Sequence, residues 1–153
     1  MGNAGKFIAE IAPIIQMVAT EKGYHVCSPI IAQACLESGY GKSVLGAKYH
    51  NYFGMKCGKY WKGASVNMRT KEEYSPGTLT TITDNFRVYD DMESGVRGYF
   101  DFINTKRYAN LKTAISPRQY LELIKKDGYA TSSKYVDSNM LILWRYNLTD
   151  YDI

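Results

Sequence analysis

The 153-residue sequence lacks a long apolar run and any low-complexity segment, and each absence excludes a class of protein. No stretch approaches the ~18 consecutive apolar residues that suggest a membrane-spanning helix. The apolar residues between positions 8 and 18 are interrupted by Glu10, Pro13 and Gln16, and no small-residue cleavage site follows them. This segment is therefore not a typical signal peptide. We expect either export by another route or a domain that belongs to a longer exported protein.

Cysteine is also scarce, and its three positions fit neither a disulfide framework nor a zinc site. Cys27 and Cys35 would lie about two turns apart along one helix, roughly 12 Å, which is too far for a disulfide. Together with the two histidines, the cysteines lack the paired short spacings of zinc motifs. We therefore predict buried free thiols, and the sequence implies no metal, nucleotide or organic cofactor.

An excess of charge is missing too, since the formal net charge is only +4. The Lys and Arg residues are scattered, without the dense run typical of nucleic-acid-binding proteins, so we expect no nucleic-acid partner. The basic residues would form a solvated surface or attract an anionic cell-wall polymer. The hydrophobic share of 45% and the length predict one globular domain over residues 1–153. No feature indicates an oligomer, and we expect a monomer.

Amphipathic helical patterns at both ends of the chain flank a β-rich middle. Two runs rich in Thr, Val, Ile, Phe and Tyr, 65–74 and 79–89, predict a β-hairpin around the turn Ser75-Pro76-Gly77. Apolar residues at helical spacing predict helices over about 6–22, 28–38, 92–105, 116–128 and 132–146. The sequence thus predicts an α+β fold, in which a mostly helical body carries a small β-lobe over about residues 60–90.

The second predicted helix ends near Glu37, the first candidate for chemistry. Ser28-Pro29 predicts its start, with Ser28 as the N-cap and proline at the first helical position. Ile30, Ala34 and Glu37 share one face of this helix. A carboxyl there would be partly desolvated and close to the negative end of the helix dipole, and both effects raise its pKa. A glycosidase acid must stay protonated until it meets the glycosidic oxygen, so Glu37 is a candidate general acid.

The sequence around Glu37 resembles a known enzyme family. Residues 32–43, AQACLESGYGKS, are similar to the acid-bearing segment of glycoside hydrolase family 73, the peptidoglycan N-acetylglucosaminidases of autolysins, flagellar-rod hydrolases and phage lysins. Further similar blocks follow in the family's order: NYFGMK at 51–56, TKEEY at 70–74, NFRVYD at 85–90, RYA at 107–109 and GYAT at 128–131. The resemblance implies a lysozyme-like fold with the β-lobe as one wall of a cleft. It also implies an extracellular or cell-wall enzyme that cleaves peptidoglycan glycan strands between N-acetylglucosamine and N-acetylmuramic acid.

The same resemblance implies roles for two carboxylates. Glu37 matches the family's essential general acid. The second carboxylate is expected within a Thr-x-Glu-Tyr pattern of the β-lobe, but this sequence has two glutamates there, Glu72 and Glu73. The sequence has one residue more than the pattern between Thr70 and Tyr74. If the pattern is aligned at Thr70, its glutamate matches Glu72, and if it is aligned at Tyr74, its glutamate matches Glu73. Strand alternation places the two on opposite faces, and we prefer Glu72.

Aromatic and amide side chains complete the expected substrate site. Tyr129 and Tyr135 match aromatic positions that line the family's cleft, and tyrosine suits sugars because its ring stacks on apolar sugar faces while its hydroxyl forms hydrogen bonds. Asn51 and Tyr52 are expected to shape the floor of the cleft and to contact the substrate.

Several alternatives remain open at this level. The attack on the sugar could come from its own 2-acetamido group or from water. A muramidase or a lytic transglycosylase on the same fold would also use a glutamate, although the Gly-Leu-Met-Gln region usual in transglycosylases is absent. A non-catalytic wall-binding module would need neither Glu37 nor a lobe glutamate.

Overall fold

A computed structural model describes residues 2–152, which form a helical body with one β-hairpin beside it. The α-helices are α1 (Asn3–Lys22), α2 (Ser28–Ser38), α3 (Val44–Ala47), α4 (Met92–Ile103), α5 (Pro117–Lys126) and α6 (Tyr135–Arg145). The strands are β1 (Ser65–Ser75) and β2 (Thr78–Arg87), and 3-10 helices span Lys106–Thr113 and Leu148–Tyr151. The predicted α+β fold is confirmed, and the three cysteine thiols are buried and free, as predicted. Within residues 2–152, no helix combines the length and hydrophobicity of a membrane span.

Helix α2 lies at the centre of the body and carries the candidate acid near its end. Every residue from Ser28 to Cys35 is buried, and the helix packs against α1, α5 and α6. A helix that is apolar on all sides is stable only when other elements surround it. This packing fixes the direction in which α2 points, and so the position of Glu37.

The start of α2 differs from the prediction that Ser28 caps the helix. Cys27 is the N-cap residue, and its side chain makes no capping hydrogen bond. Instead, the backbone N–H groups of Cys27 and Ser28 both donate to Asp152 Oδ1 at 2.7 Å, and the Ser28 hydroxyl donates to Oδ2. A carboxylate more than 120 residues away therefore satisfies the free N–H groups and interacts favourably with the helix dipole.

Replacing Asp152 should destabilise the fold through this helix end. We expect Asp152→Ala to lower the free energy of unfolding by about 1–2 kcal/mol, the usual effect of losing an N-terminal cap with its dipole interaction. Urea unfolding followed by circular dichroism measures the change. Asp150→Ala, at an exposed position of the 3-10 helix that precedes Asp152, is the matched control and should change little. Equal losses in both variants would contradict the capping role.

Other boundaries shift by a few residues. Helix α1 begins at Asn3 rather than near Lys6, and it continues through Pro13. Proline removes one helical hydrogen bond, but the buried face that includes Ile8, Ile11 and Ile15 holds the helix together on both sides of it. Helix α6 begins at Tyr135 instead of Ser132, and the 3-10 helix before α5 was not predicted.

The β-lobe contains a bulge at the position of the two glutamates. Strands β1 and β2 pair antiparallel in one register from Ser65 to Glu72, which lies opposite Thr80, but Ser75 lies opposite Thr78. Two residues of β1, Glu73 and Tyr74, therefore face one residue of β2, which is the arrangement of a β-bulge. The extra residue explains why counting from the two ends of the motif selects different glutamates. It also ends the simple strand alternation that the prediction assumed.

Candidate active site

A cleft with a volume of about 830 Å³ lies between the helical body and the β-lobe. The two candidate carboxylates, Glu37 of α2 and Glu72 of β1, both line it. Aromatic side chains make up much of the remaining wall, namely Phe53, Phe86, Phe102, Tyr108, Tyr129 and Tyr135. A concave site of this size with a few convergent polar groups is typical of small-molecule and substrate sites.

The turn after α2 fixes the backbone that carries Glu37. The Ser38 hydroxyl donates to the carbonyl of Ala34 at 2.6 Å and accepts the N–H of Gly41 at 2.8 Å. Gly39 closes the helix in the left-handed conformation, with φ of 55°. A Cβ atom built on Gly54 would lie 3.0 Å from Glu37 Oε2, so the backbone of the 51–55 turn passes directly beside the carboxyl group.

The pKa of Glu37 is raised from its ordinary value to about 7. The side chain is open to the cleft, but the surrounding protein removes much of the water that would solvate a negative charge. The like charge of Glu72 raises the pKa further. Among residues 2–152, Glu37 has no ion-pair or side-chain hydrogen-bond partner that would stabilise its charged form. A substantial fraction of the carboxyl is therefore protonated near neutral pH.

Glu72 faces the cleft and is held there by two donors. Lys56 Nζ lies 2.5 Å from its Oε1, and the Thr131 hydroxyl donates to its Oε2 at 2.8 Å. The side chain is only 16% exposed. These contacts hold the carboxylate of Glu72 in the same cavity as that of Glu37.

Glu73 does not line the cleft. Its Oε2 accepts the backbone N–H of Ser133 at 2.9 Å, and its own N–H donates to the Thr131 hydroxyl at 3.1 Å. Hydrogen bonds from the side chain and backbone of Ser133 lower its pKa. The bulge thus lets both glutamates contact the loop before α6, but only Glu72 borders the cavity.

Tyr129 and Tyr135 both line the cleft, as the resemblance implied. The Tyr129 hydroxyl donates to the carbonyl of Phe53 at 3.0 Å, so the ring is held with one edge against the 51–55 turn. The ring centres of Tyr129 and Tyr135 are 6.4 Å apart. Burial raises the pKa of both hydroxyls well above the ordinary value, with the charge of Glu37 as a further cause. Both therefore remain neutral hydrogen-bonding groups at the cleft.

Gln33, a buried residue behind the cleft wall, positions Tyr135 and was not predicted from the sequence. Its Nε2 donates to the Tyr135 hydroxyl at 2.8 Å, and its Oε1 accepts the hydroxyl of Tyr99 at 2.7 Å. Tyr99 in turn shares a 2.5 Å hydrogen bond with Tyr120. Because the Tyr135 oxygen accepts from Gln33, its own hydrogen is free to be donated elsewhere. The sequence did contain a signal for this role, because Gln33 is a polar residue on an otherwise apolar helix, one turn before Glu37.

Asn51 and Tyr52 do not line the cleft, contrary to the prediction. Asn51 is buried, and its Nδ2 donates to the carbonyls of Met55 and Arg87, each at 2.9 Å. Tyr52 packs on the far side of the turn against Phe7, with ring centres 5.6 Å apart. Both side chains point away from the cavity because they anchor the 51–55 turn to β2 and α1. Their contribution is to support the turn beside Glu37.

The donor set of the cleft does not suit a metal ion. Among the described residues, no group of three or more His, Cys, Asp or Glu side chains could coordinate one.

Comparison with known proteins agrees with this geometry. The family model described as mannosyl-glycoprotein endo-beta-N-acetylglucosaminidase, the glucosaminidase model, matches residues 12–148. The peptidoglycan hydrolase FlgJ of Pseudomonas aeruginosa is 35% identical over 139 residues, which cover 87% of this chain and 34% of the relative. The exo-glucosaminidase LytG of Bacillus subtilis is 38% identical over 138 residues, which cover 84% of this chain and 47% of the relative.

A solved structure shows the same fold over nearly the whole chain. A mutant peptidoglycan hydrolase from Sphingomonas sp. A1 superposes with a TM-score of 0.82 at 29% identity, covering 95% of this chain and 96% of that one. The chain spans between a third and a half of the length of the curated relatives above. The cleft, the order of the motifs and these matches agree, and the chain belongs to the glucosaminidase family, glycoside hydrolase family 73.

Proposed function

We propose that this protein cleaves peptidoglycan glycan strands at the β-1,4 bond between N-acetylglucosamine and N-acetylmuramic acid, with Glu37 as the general acid. The proposal rests on one observation. The carboxyl group of Glu37 lies in the wall of an aromatic cleft, and its pKa is raised to about 7. A carboxyl with this pKa can hold a proton near neutral pH and deliver it to the glycosidic oxygen. The names of the relatives, a peptidoglycan hydrolase and an exo-glucosaminidase, support this choice of substrate.

Glu72 supplies the second carboxylate in this proposal. As the glycosidic bond breaks, positive charge develops on the sugar ring, and a negative group across the cleft stabilises it. Lys56 and Thr131, which lie outside the β-lobe, hold both oxygens of Glu72 and so fix this lobe residue relative to the helical body. The attacking group is either the 2-acetamido oxygen of the substrate or a water molecule, and the charge of Glu72 would assist both routes. The partly exposed ring of Tyr129 is available to a sugar face, whereas Tyr135 is buried and supports the cleft wall.

Replacing each of the two lobe glutamates by glutamine, in separate variants, should separate their roles. We expect Glu72→Gln to reduce kcat/KM by roughly tenfold or more, since it removes the charge that faces the reaction. Glu73→Gln alters only the contact with Ser133 and should cost less than about threefold. Initial rates of reducing-end release from purified peptidoglycan measure both. A larger loss of kcat/KM in Glu73→Gln than in Glu72→Gln would instead identify Glu73 as the lobe carboxylate that takes part in the reaction.

The bond that is cleaved can be identified from the products. Purified peptidoglycan is digested with the wild type, reduced with borohydride to mark the new reducing ends, and analysed by mass spectrometry. Reduced N-acetylglucosamine is the expected product. Reduced muramic acid would indicate a muramidase and anhydro-muramic acid a lytic transglycosylase, and either would overturn the proposed bond. Binding to the wall without any product would indicate a non-catalytic wall-binding module.

The proposed substrate also implies where in relation to the cell the protein acts. Peptidoglycan lies outside the cytoplasmic membrane, so we place this domain in the cell wall or in the extracellular space. The mild positive charge would favour contact with anionic wall polymers. That residues 1–153 act as one monomeric catalytic domain remains our prediction.

A further inference from the structure

Four side chains on the cleft wall form a continuous row with a cation at each end. The guanidinium carbon of Arg87 lies 5.1 Å from the ring centre of Phe102, whose own ring centre is 5.6 Å from that of Tyr108. The guanidinium carbon of Arg107 lies 5.4 Å from the Tyr108 ring. All four residues line the cavity that contains Glu37. We call this row, Arg87–Phe102–Tyr108–Arg107, the arginine strip.

Neither arginine of the strip has a carboxylate partner within residues 2–152. Arg87 is partly buried, and its Nε donates to the backbone carbonyl of Lys56 at 3.0 Å, while Trp61 covers it at 4.6 Å. The Nε of Arg107 donates to the carbonyl of Asp127 at 2.6 Å. Backbone carbonyls orient both guanidinium groups but leave their charges without an ion-pair partner. This is ordinary for the exposed Arg107 but unusual for Arg87, because a partly buried cation usually has such a partner.

Three further cations line the cavity, Lys56, Arg69 and Lys71, and the last two are exposed side chains of β1. The ammonium group of Lys56 is paired with Glu72 at 2.5 Å and lies 3.7 Å from Asp84. Among the described residues of the cavity, Arg69, Lys71 and the two strip arginines have no carboxylate partner. Of these four cations, only the strip arginines are held in place by hydrogen bonds to backbone carbonyls. An anionic group of the ligand would be bound at the strip.

We propose that the arginine strip binds the acidic stem peptide carried by the N-acetylmuramic acid residue beside the scissile bond. This inference rests on the proposed function. The amino-sugar backbone of a glycan strand is uncharged, whereas the stem peptide carries free carboxylates. Guanidinium groups bind carboxylates with two parallel hydrogen bonds, and the partly exposed ring of Phe102 beside Arg87 offers an apolar surface to the alanine methyl groups of such a peptide.

The test compares substrates that differ only in peptide charge. Peptidoglycan is treated with carbodiimide and ammonia, which converts its free carboxylates to neutral amides and leaves the glycan strands unchanged. We expect the wild type to cleave untreated peptidoglycan with a kcat/KM about tenfold higher than the amidated material. Arg107→Gln should lose most of this preference. Arg118→Gln, the same exchange at an exposed position outside the cavity, should retain it.

Two results would overturn the strip as a stem-peptide site. Equal cleavage of both substrates by the wild type would show that peptide charge is not recognised. Equal loss of preference in Arg107→Gln and Arg118→Gln would indicate general electrostatic attraction to the wall.

A binding measurement separates this inference from the proposed activity. Calorimetry with the soluble stem tetrapeptide needs no hydrolysis, so it is informative even if the wild type cleaves neither substrate and the proposed function fails. We expect binding to the wild type and about tenfold weaker binding to Arg107→Gln. The absence of binding to the wild type, or binding of a glycerol phosphate polymer in its place, would contradict a peptide site.

Discussion

Glu37→Gln is expected to remove nearly all hydrolytic activity while the fold is retained. The substitution keeps the size of the side chain but removes the proton that the leaving oxygen requires, and general acid catalysis typically contributes ~100-fold or more. The rate of reducing-end release from purified peptidoglycan measures the loss, and circular dichroism checks the fold. Glu122→Gln, the same exchange at an exposed position of α5, is the control and should keep its activity. A Glu37→Gln variant that retains more than roughly a tenth of the wild-type rate would exclude Glu37 as the acid.

The pH dependence of activity tests the same assignment. Because the pKa of Glu37 is raised to about 7, the acid is protonated below that pH and loses its proton above it. Activity should therefore fall as pH rises through about 7, in contrast to an acid with an ordinary glutamate pKa, whose activity would fall near pH 4–5. Initial rates between pH 5 and 9 give the profile. A rate that stays constant to pH 9 would contradict the raised pKa.

The same shift predicts an effect on stability with a defined sign. Between its ordinary pKa, 4.5, and about 7, Glu37 is protonated in the folded state but ionised in the unfolded state. The unfolded state binds fewer protons in this window, so the contribution of Glu37 to stability decreases as pH rises through it. Glu37→Gln removes this penalty, and its Tm relative to the wild type should be higher at pH 8 than at pH 4. Thermal unfolding at the two pH values measures the difference.

Gly95→Ala should cause a large loss of stability, although alanine is the better helix former. A Cβ atom at Gly95 would lie 2.1 Å from the backbone carbonyl oxygen of His50, so α4 or the loop that precedes the 51–55 turn would have to move. Such overpacking typically costs 1–3 kcal/mol, and we expect about 3 kcal/mol because the obstacle is backbone and not a flexible side chain. Helix propensity alone predicts a gain of about 1 kcal/mol, so the two explanations differ in sign.

Urea unfolding of Gly95→Ala, with Gly2→Ala as the control, distinguishes these explanations. Gly2 precedes α1, and a Cβ atom there would have nothing within 4 Å, so its replacement should cost well under 1 kcal/mol. If Gly95→Ala were as stable as the wild type, the close approach of α4 to His50 would not hold in solution.

Local sequence was sufficient for the helical side of the site. Glycine after Ser38, apolar residues at helical spacing and the Ser28-Pro29 pair define a buried helix that ends at the candidate acid, because these signals act within a few residues of each other. The hairpin was predictable for the same reason, from two β-rich runs and a turn motif. The sequence also predicted that the pKa of Glu37 is raised. Its first predicted cause, loss of solvation, agrees with the structure, but the second cause is the charge of Glu72 and not the dipole of α2.

Tertiary structure decided which side chains surround that acid. The bulge at Glu73 and the donors Lys56 and Thr131 select Glu72 for the cleft, and Thr131 is 59 positions away in sequence. Asn51 belongs to a motif that resembles a substrate site, yet its hydrogen bonds to the Met55 and Arg87 carbonyls turn it inward. Hydrophobic periodicity records which face of an element is buried, but not which distant polar group satisfies a buried donor. The sequence by itself therefore determined the main helices, the hairpin and the candidate acid, because local signals specify them. Only the packed structure determined the partners of each polar side chain.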